Sequence, residues 1–466
     1  MMIYVIAIVA GIAGFLFGFD EGVIAGALHL LHAQFGIDPF MEGVMTSAVP
    51  FGALFGALLA GRLVDALGRR WVLLCAALLF AVGALVAASA SGIPMLSVAR
   101  LVLGFAIGMA SLVAPLYISE SAPPEKRGML VSIYQLAITL GILGAYLIAL
   151  LFSDSWRAMF LFGAVPGVAL FLGMYVLRDT PRWLVKQSRG ADARLAIASI
   201  RSLPPGDARV DAELQEIART ADSERGRGTW AELFGPVARP ALVVGIGLFL
   251  LQQLSGINAV IYYAPVVFRE AGFDLSSVQL MATIGIGIVN VLMTVVGMGL
   301  IDRIGRRPLL IIGFCGAALS LGMIAIAAAT DAESLDILAF IGLVLYIASF
   351  AVSLGPLPWV MMSEIFPLNV RGLGMGAASL ANWGFNFLVV FSFPMMVAHL
   401  GLGGVFAIYA LVCAAGVVFA VRLVPETNGV ALEDIERHLR SGQPLRTLKR
   451  ASAGPDAGVL LSGGRV

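Results

Sequence analysis

Two ionisable side chains of opposite sign, Asp20 and Arg100, stand deep within long apolar runs, and Glu21 follows Asp20 directly. A full charge at the centre of a bilayer costs about 2.5–3.5 kcal/mol even on insertion scales, so such residues usually pair, and they mark proton or solute paths. Arg100 is the cation that those runs offer to Asp20. A carboxyl that takes up and sheds a proton beside a guanidinium can tie proton occupancy to a rearrangement of helices. The same pair, held permanently charged, is a static clip between two helices, and the residues alone admit both. Six carboxamides form a second set, Gln135, Gln252, Gln253, Asn258, Asn290 and Asn382, all within apolar runs. Each carries donors and an acceptor, and leaving them unpaired away from water is costly. Neighbouring helices can supply partners. So can a small hydroxylated solute.

The elements that hold these residues follow from composition. Hydrophobic residues are 59% of the 466 and charged ones 13%, with a mean hydropathy of +0.95. A soluble domain keeps about a quarter of its residues charged, so the main solvent of this chain is lipid. A spanning helix needs about 20 mostly apolar residues. Twelve segments qualify, near 3–31, 42–64, 71–91, 94–119, 128–152, 156–178, 239–268, 276–300, 308–329, 336–363, 372–397 and 400–423. The first run starts at Ile3 and passes Leu30 without an A-x-A-like cleavage site, which reads as a retained span. From Arg178 to Gly235 the chain is charged, with helical composition over 192–202 and 208–220 around Pro204-Pro205-Gly206. The tail after Leu423 is polar and then of low complexity, and is expected to be partly disordered.

Of the 30 Lys and Arg, all but Arg100, Arg157 and Arg269 fall on one side of this arrangement. The positive-inside rule then places both termini in the cytoplasm. The sequence also repeats: GRLVDALGRR at 61–70 returns as GLIDRIGRRP at 299–308, and Glu120 with Arg127-Gly128 returns as Glu364 with Arg371-Gly372. Asp179-Thr180-Pro181 is echoed by Pro425-Glu426-Thr427. Two parallel six-helix halves are implied, an architecture that places a solute site between them. The expected division is 1–178 and 239–424 for the halves, 179–238 for a cytoplasmic linker with short helices, and 425–466 for a cytoplasmic tail.

Several classes are excluded. A net charge of +1 without basic tracts speaks against a nucleic-acid partner. Cys75, Cys315 and Cys413 lie singly in apolar runs, offering neither a disulfide framework nor a metal-binding pair. No phosphate loop, nucleophile triad or metal-ligand cluster is present, so no cofactor, metal or enzyme activity is expected.

The chain resembles the sugar porters of the major facilitator superfamily over about 430 residues. The matching pieces run in order: GFLFGFDEGVIAG (14–26), GRLVDALGRR, RLVLGFAIG (100–108), PEKRG (124–128), QLAITLGIL (135–143), TPRWL (180–184), QQLSGIN (252–258), GPLPW (355–359), SEIFP (363–367) and PETNG (425–429). The resemblance implies an all-α membrane protein of twelve transmembrane helices that carries a monosaccharide by alternating access. Residues matching Gln135, Gln252, Gln253, Asn258, Asn290 and Asn382 contact sugar in the family. Trp359 and Trp383 match positions that pack on the sugar's C–H face, with Phe17 and Phe350 as weaker matches. Proton-coupled members carry Asp at the place of Asp20, opposite the match of Arg100. Facilitative animal members have no charge there.

Gating follows the same way. Tyr262 and Tyr263 match an outer-gate pair. Arg62, Asp65, Arg69, Arg70, Glu120 and Arg127, with their repeats Asp302, Arg306, Arg307, Glu364 and Arg371, form a charge network expected to latch helix ends while the inner gate is closed. A plain topology signal explains part of the arginine clusters. Three residues depart from the family: Glu21 replaces a small polar residue, Ile142 stands where some members have a second Gln, and Arg178 replaces a Pro. The expected function is monosaccharide import by proton symport, as a monomer in a bacterial cell membrane. The alternatives are a facilitative uniporter and a non-transporting sugar sensor.

Overall fold

In a computed structural model, residues 2–123, 126–223, 228–273, 275–330, 332, 334–367, 369–430 and 432–448 are described. Six long helices come first: α1 (Met2–Phe35), α2 (Pro39–Leu67), α3 (Arg69–Ala88), α4 (Ile93–Ser121), α5 (Arg127–Leu151) and α6 (Trp156–Val176). Four short ones follow, α7 (Pro181–Lys186), α8 (Gly190–Arg201), α9 (Ala208–Ser223) and α10 (Trp230–Leu233). The two helices expected in the linker are α8 and α9. Trp183 and Leu184 of α7 pack on Ala193 and Ala196 of α8. The second half holds α11 (Arg239–Leu254), α12 (Ile257–Glu270), α13 (Ser276–Ile304), α14 (Arg306–Ala329), α15 (Leu335–Ser349), a π-helical turn over Phe350–Leu354, α16 (Leu357–Ile365) and α17 (Arg371–Arg422).

Among the described residues, 11 helical stretches are long and apolar enough to cross a membrane. They make twelve crossings. The 52 residues of α17 would extend about 78 Å at 1.5 Å per residue, far beyond a bilayer, and the helix turns back at Gly401, whose φ is 65°. Its two arms correspond to the expected segments 372–397 and 400–423. The pairs α11–α12 and α15–α16 each make one interrupted crossing.

Burial follows the logic of lipid. Leu319 and Leu411 are 76% and 71% exposed, while Arg100 is 0% exposed. Apolar groups face outward and the charge is inside, which suits hydrocarbon and not water. Within the first half α1 lies on α5, α2 on α4, and α3 on α4 and α6; within the second, α17 packs on α11 and α14. The halves meet where α2 touches α17, α5 touches α13 and α1 touches α12. The amphipathic α18 (Leu432–Arg440) then turns Ile435 and Leu439 inward. The low-complexity tail beyond residue 448, expected to be partly disordered, lies outside the described residues.

Candidate functional site

Helix α1 sits close on α5 because a Cβ at Gly18 would overlap the Ile138 carbonyl. That contact sets the depth of Asp20. Arg100 Nη2 lies 3.6 Å from Asp20 Oδ2, with the side chains 0% and 1% exposed. The contact is ionic but too long for a hydrogen bond, and Asp20 Oδ2 and both terminal nitrogens of Arg100 have none. Arg100 is held separately: its Nε donates to the Met45 carbonyl at 3.1 Å, and its guanidinium lies 5.9 Å from the Phe160 ring centre. Phe17, a turn before Asp20, meets Trp383 of α17 at 5.2 Å between ring centres. The acid–base pair is therefore one turn from the junction of the halves.

The amides lie across that junction. Ser255 and Gly256 interrupt the crossing between α11 and α12, so the ends of two helices bring their carboxamides together. Asn258 Nδ2 donates to Gln253 Oε1 at 2.5 Å, and Gln253 Nε2 donates to Asn382 Oδ1 at 2.6 Å. Gln252 turns elsewhere, donating to the carbonyls of Leu354 at 2.6 Å and Gly355 at 3.2 Å. Its Nε2 thus satisfies the end of the π turn, the helix-to-helix use left open by the sequence. Its Oε1, Trp383 Nε1 and Asn386 Oδ1 are buried without partners. At about 1–3 kcal/mol per unpaired buried group, these atoms mark where a hydroxylated solute would gain most. Asn386 was not among the expected residues, and its signal was the four-residue step from Asn382, which puts both on one helix face. Gln135 on α5 and Asn290 on α13 lie outside the chain of amides. Trp359 rests edge-on against Phe249 at 4.7 Å, and Phe350 lies 6.3 Å from Tyr346.

The end of the bundle remote from the linker, the distal end, is closed over this site. Tyr263 shares a hydrogen bond with Thr46 of the other half and donates to the Val390 carbonyl at 3.1 Å. Tyr146 Oη donates across the halves to the Ile261 carbonyl at 3.0 Å. Phe40 and Phe391 meet at 5.8 Å. Tyr262, beside Tyr263, is buried with its hydroxyl unpaired.

At the linker end the repeated arginines are gathered within each half. Arg69 Nη2 pairs with Glu120 at 2.8 Å, and Arg306 Nη2 with Glu364 at 3.1 Å. Thr180 and Thr427 donate to the same two glutamates at 2.5 Å. Asp179 accepts the backbone N–H groups of Arg69, Arg70 and Thr180 at 3.1, 3.3 and 2.8 Å. Glu426 accepts those of Arg306 and Arg307, both at 3.1 Å. Burial pushes the Asp179 carboxyl above the usual carboxylate range, and these backbone bonds pull it back. Gly68 and Gly305 start α3 and α14 with φ of 95° and 98°, and a Cβ on either would press on the carboxylate of Asp179 or Glu426. Glycine is required there twice over. Arg70 donates to the Met174 and Tyr175 carbonyls at 3.1 and 2.6 Å, and Arg307 to that of Val421 at 2.6 Å, capping the ends of α6 and α17.

The pairs of Arg69 with Glu120 and of Arg306 with Glu364 belong to the expected network of helix ends. Asp65 pairs with Lys186 of the linker at 2.8 Å, and Asp302 with Arg306 one turn along at 2.9 Å. The acids that seat the helix starts are Asp179 and Glu426, whose signal was the echoed loop after the sixth and twelfth spans. Arg62 is exposed, Arg371 donates to the Phe366 carbonyl at 3.4 Å, and the Arg127 side chain lies outside the described residues.

Comparison with known proteins identifies the family. The model of the family described as sugar (and other) transporter matches residues 6–439. A D-xylose transporter of Levilactobacillus brevis is 40% identical over 435 residues, covering 92% of this chain and 94% of that protein. A galactose-proton symporter of Escherichia coli strain K12 is 38% identical over 453 residues, covering 96% of each. A partially occluded, inward-open structure of the xylose transporter from E. coli superposes with a TM-score of 0.79 at 29% identity, covering 91% of this chain and all of that one. A proton:xylose symporter bound to 6-bromo-6-deoxy-D-glucose gives 0.77 at 31%, with coverage of 96% and 98%. Twelve crossings, a polar site at the junction of the halves and similarity over nearly the whole length lead to one conclusion: the chain belongs to the sugar transporter family, a group of multi-pass membrane transporters and not of enzymes.

Proposed function

We propose that this chain imports a monosaccharide, hexose or pentose, by proton symport through alternating access. The observation that carries the reading is the Asp20–Arg100 pair, 3.6 Å apart and shut from solvent, one turn from the contact of Phe17 with Trp383. A proton on Asp20 would cancel its attraction to Arg100 and free α1 to move against α4. The chain of Gln253, Asn258 and Asn382, with the unpaired Trp383 Nε1, supplies donors and acceptors for sugar hydroxyls. Relatives named for xylose and for galactose span both pentose and hexose.

In this reading the chain works as a monomer in a bacterial cell membrane. Residues 1–178 and 239–424 move as two halves, with 179–238, the tail 425–466 and both termini in the cytoplasm. The Lys and Arg on the linker side support that orientation, and the distal end is then the outer one. Uptake by proteoliposomes, with a panel of pentoses and hexoses and with or without an imposed pH gradient, tests it. At least one sugar should accumulate when the outer medium is acid. One charge moved through 100 mV supplies about 2.3 kcal/mol, or roughly 50-fold accumulation. Sugar that equilibrates without responding to the gradient would make the protein a facilitator. Binding without flux would make it a sensor.

A further inference from the structure

We propose that Glu21 is a second proton-binding carboxyl of this transporter, which sheds its proton to the distal side when that side opens and recovers it on closure. Only the role of Asp20 as the transported-proton site is taken from the symport reading.

Glu21 is 3% exposed in the middle of α1, beside Asp20 at 1%. Successive helical residues point about 100° apart, so the two carboxyls face different neighbours. Four residues before Glu21, and so on the same helix face, Phe17 meets Trp383 of the other half. Helix α1 packs on α5, which carries Tyr134 and Tyr146, and on α12, which carries Tyr262. Tyr146 makes one of the hydrogen bonds that join the halves at the distal end. Tyr262 lies one turn beyond Asn258, its hydroxyl buried and unpaired. The helix that carries Glu21 therefore touches both α12, which holds Asn258, and α5, which holds the Tyr146 bond of the distal closure.

The charges around it fix its state. Asp20 adjoins it on α1, and Arg100 of α4 lies 3.6 Å from the Asp20 carboxyl. His29 lies two turns further along α1, the His32–Glu42 pair is at the distal end at 2.7 Å, and Tyr263 of α12 is engaged with Thr46. The Arg100 cation is thus committed to Asp20. With Arg100 beside Asp20, an ionised Glu21 would be an uncompensated charge in a dry interior, which costs several kcal/mol. Glu21 accordingly holds a proton while the distal end is closed. Opening moves α12 away from α1 and admits water, in which a glutamate titrates near 4.3. The closed form then binds more protons than the open one, and by linkage an acid distal medium favours closure.

The test compares wild type, Asp20→Asn, Glu21→Gln and the double variant in proteoliposomes. Sugar exchange is measured at equal pH on both faces, from about pH 5.5 to about pH 8. Asp20→Asn should keep a change of at least about threefold over that range, within the tenfold-per-unit ceiling of one linked proton. Adding Glu21→Gln should flatten it. Sugar affinity of the same proteins in detergent over the same range is a second readout that needs no transport, and it should show the same pattern. A flat Asp20→Asn profile in both readouts overturns the proposal. So does a slope that survives in the double variant, which would move the titration to the His32–Glu42 pair. A wild type that never accumulates sugar defeats the symport reading instead, and leaves the comparison of slopes intact.

Discussion

Neutralising Asp20 need not release Arg100, because the Met45 carbonyl holds Nε of that guanidinium independently. Asp20→Asn is therefore expected to retain sugar binding and exchange while losing uphill accumulation and sugar-driven alkalinisation of the medium. Uptake and pH-electrode traces from the same proteoliposomes check this, and accumulation that persists contradicts it. Trp383 offers a sharper separation of binding from folding. Its Nε1 has no hydrogen-bond partner, so Trp383→Phe breaks no bond within the protein, and any fall in melting temperature comes from the smaller ring alone. The substitution should weaken sugar binding by about 0.5–1.5 kcal/mol, one hydrogen bond. Gln253→Ala and Asn258→Ala break the amide chain as well, so a loss of about 1–3 kcal/mol in binding should come with some loss of stability. Unchanged affinity by calorimetry in all three variants counts against the site. The charged pair and the amides were legible in the sequence because polar residues in apolar runs stand out. The separate duty of Gln252 was not, since its acceptors are backbone carbonyls freed by a π turn about a hundred residues away.

Between residues and halves stand the staples at the linker end. Asp179 takes three backbone N–H groups and so fixes the start of α3 against the end of α6; Glu426 does the same for α14 and α17. These are rigid-body joints inside a half. Asp179→Ala should lower thermal stability by about 1–3 kcal/mol and slow exchange, while sugar affinity stays near wild type. A variant that lost affinity but exchanged at the normal rate would contradict that role. The crossings themselves were legible because a long apolar run is dictated by bilayer thickness. The interruptions at Ser255-Gly256 and Phe350–Leu354 were not. Each is satisfied by tertiary bonds: Tyr346 donates to the Ser255 carbonyl at 3.0 Å, and Gln252 reaches Leu354. For the same reason α7 was missed, since Trp183 and Leu184 gain their helical turn from packing on α8.

At the scale of the molecule, the two halves touch at the distal end through a few polar bonds and aromatic contacts between otherwise apolar helices. A sequence reports which residues line both faces of a carrier but not which face is shut, because the same chain must stabilise both states. The structure settles one of them: Thr46 with Tyr263 and Tyr146 with Ile261 cross from half to half. A net hydrogen bond is worth about 0.5–1.5 kcal/mol, so these bonds set a modest bias toward distal closure. Tyr263→Phe removes the hydroxyl that bonds both Thr46 and Val390 but keeps the ring stacked on Phe393 at 4.8 Å. Packing is preserved and only the bias changes. The population should shift toward the distal-open state by about 2- to 10-fold, the range set by that one bond. Thr46→Val should shift it the same way. Spin-label distances across the distal end would read the shift directly. If both variants keep the wild-type distribution, the apolar contact of Phe40 with Phe391 holds the end shut, and Phe391→Ala becomes the substitution that should open it.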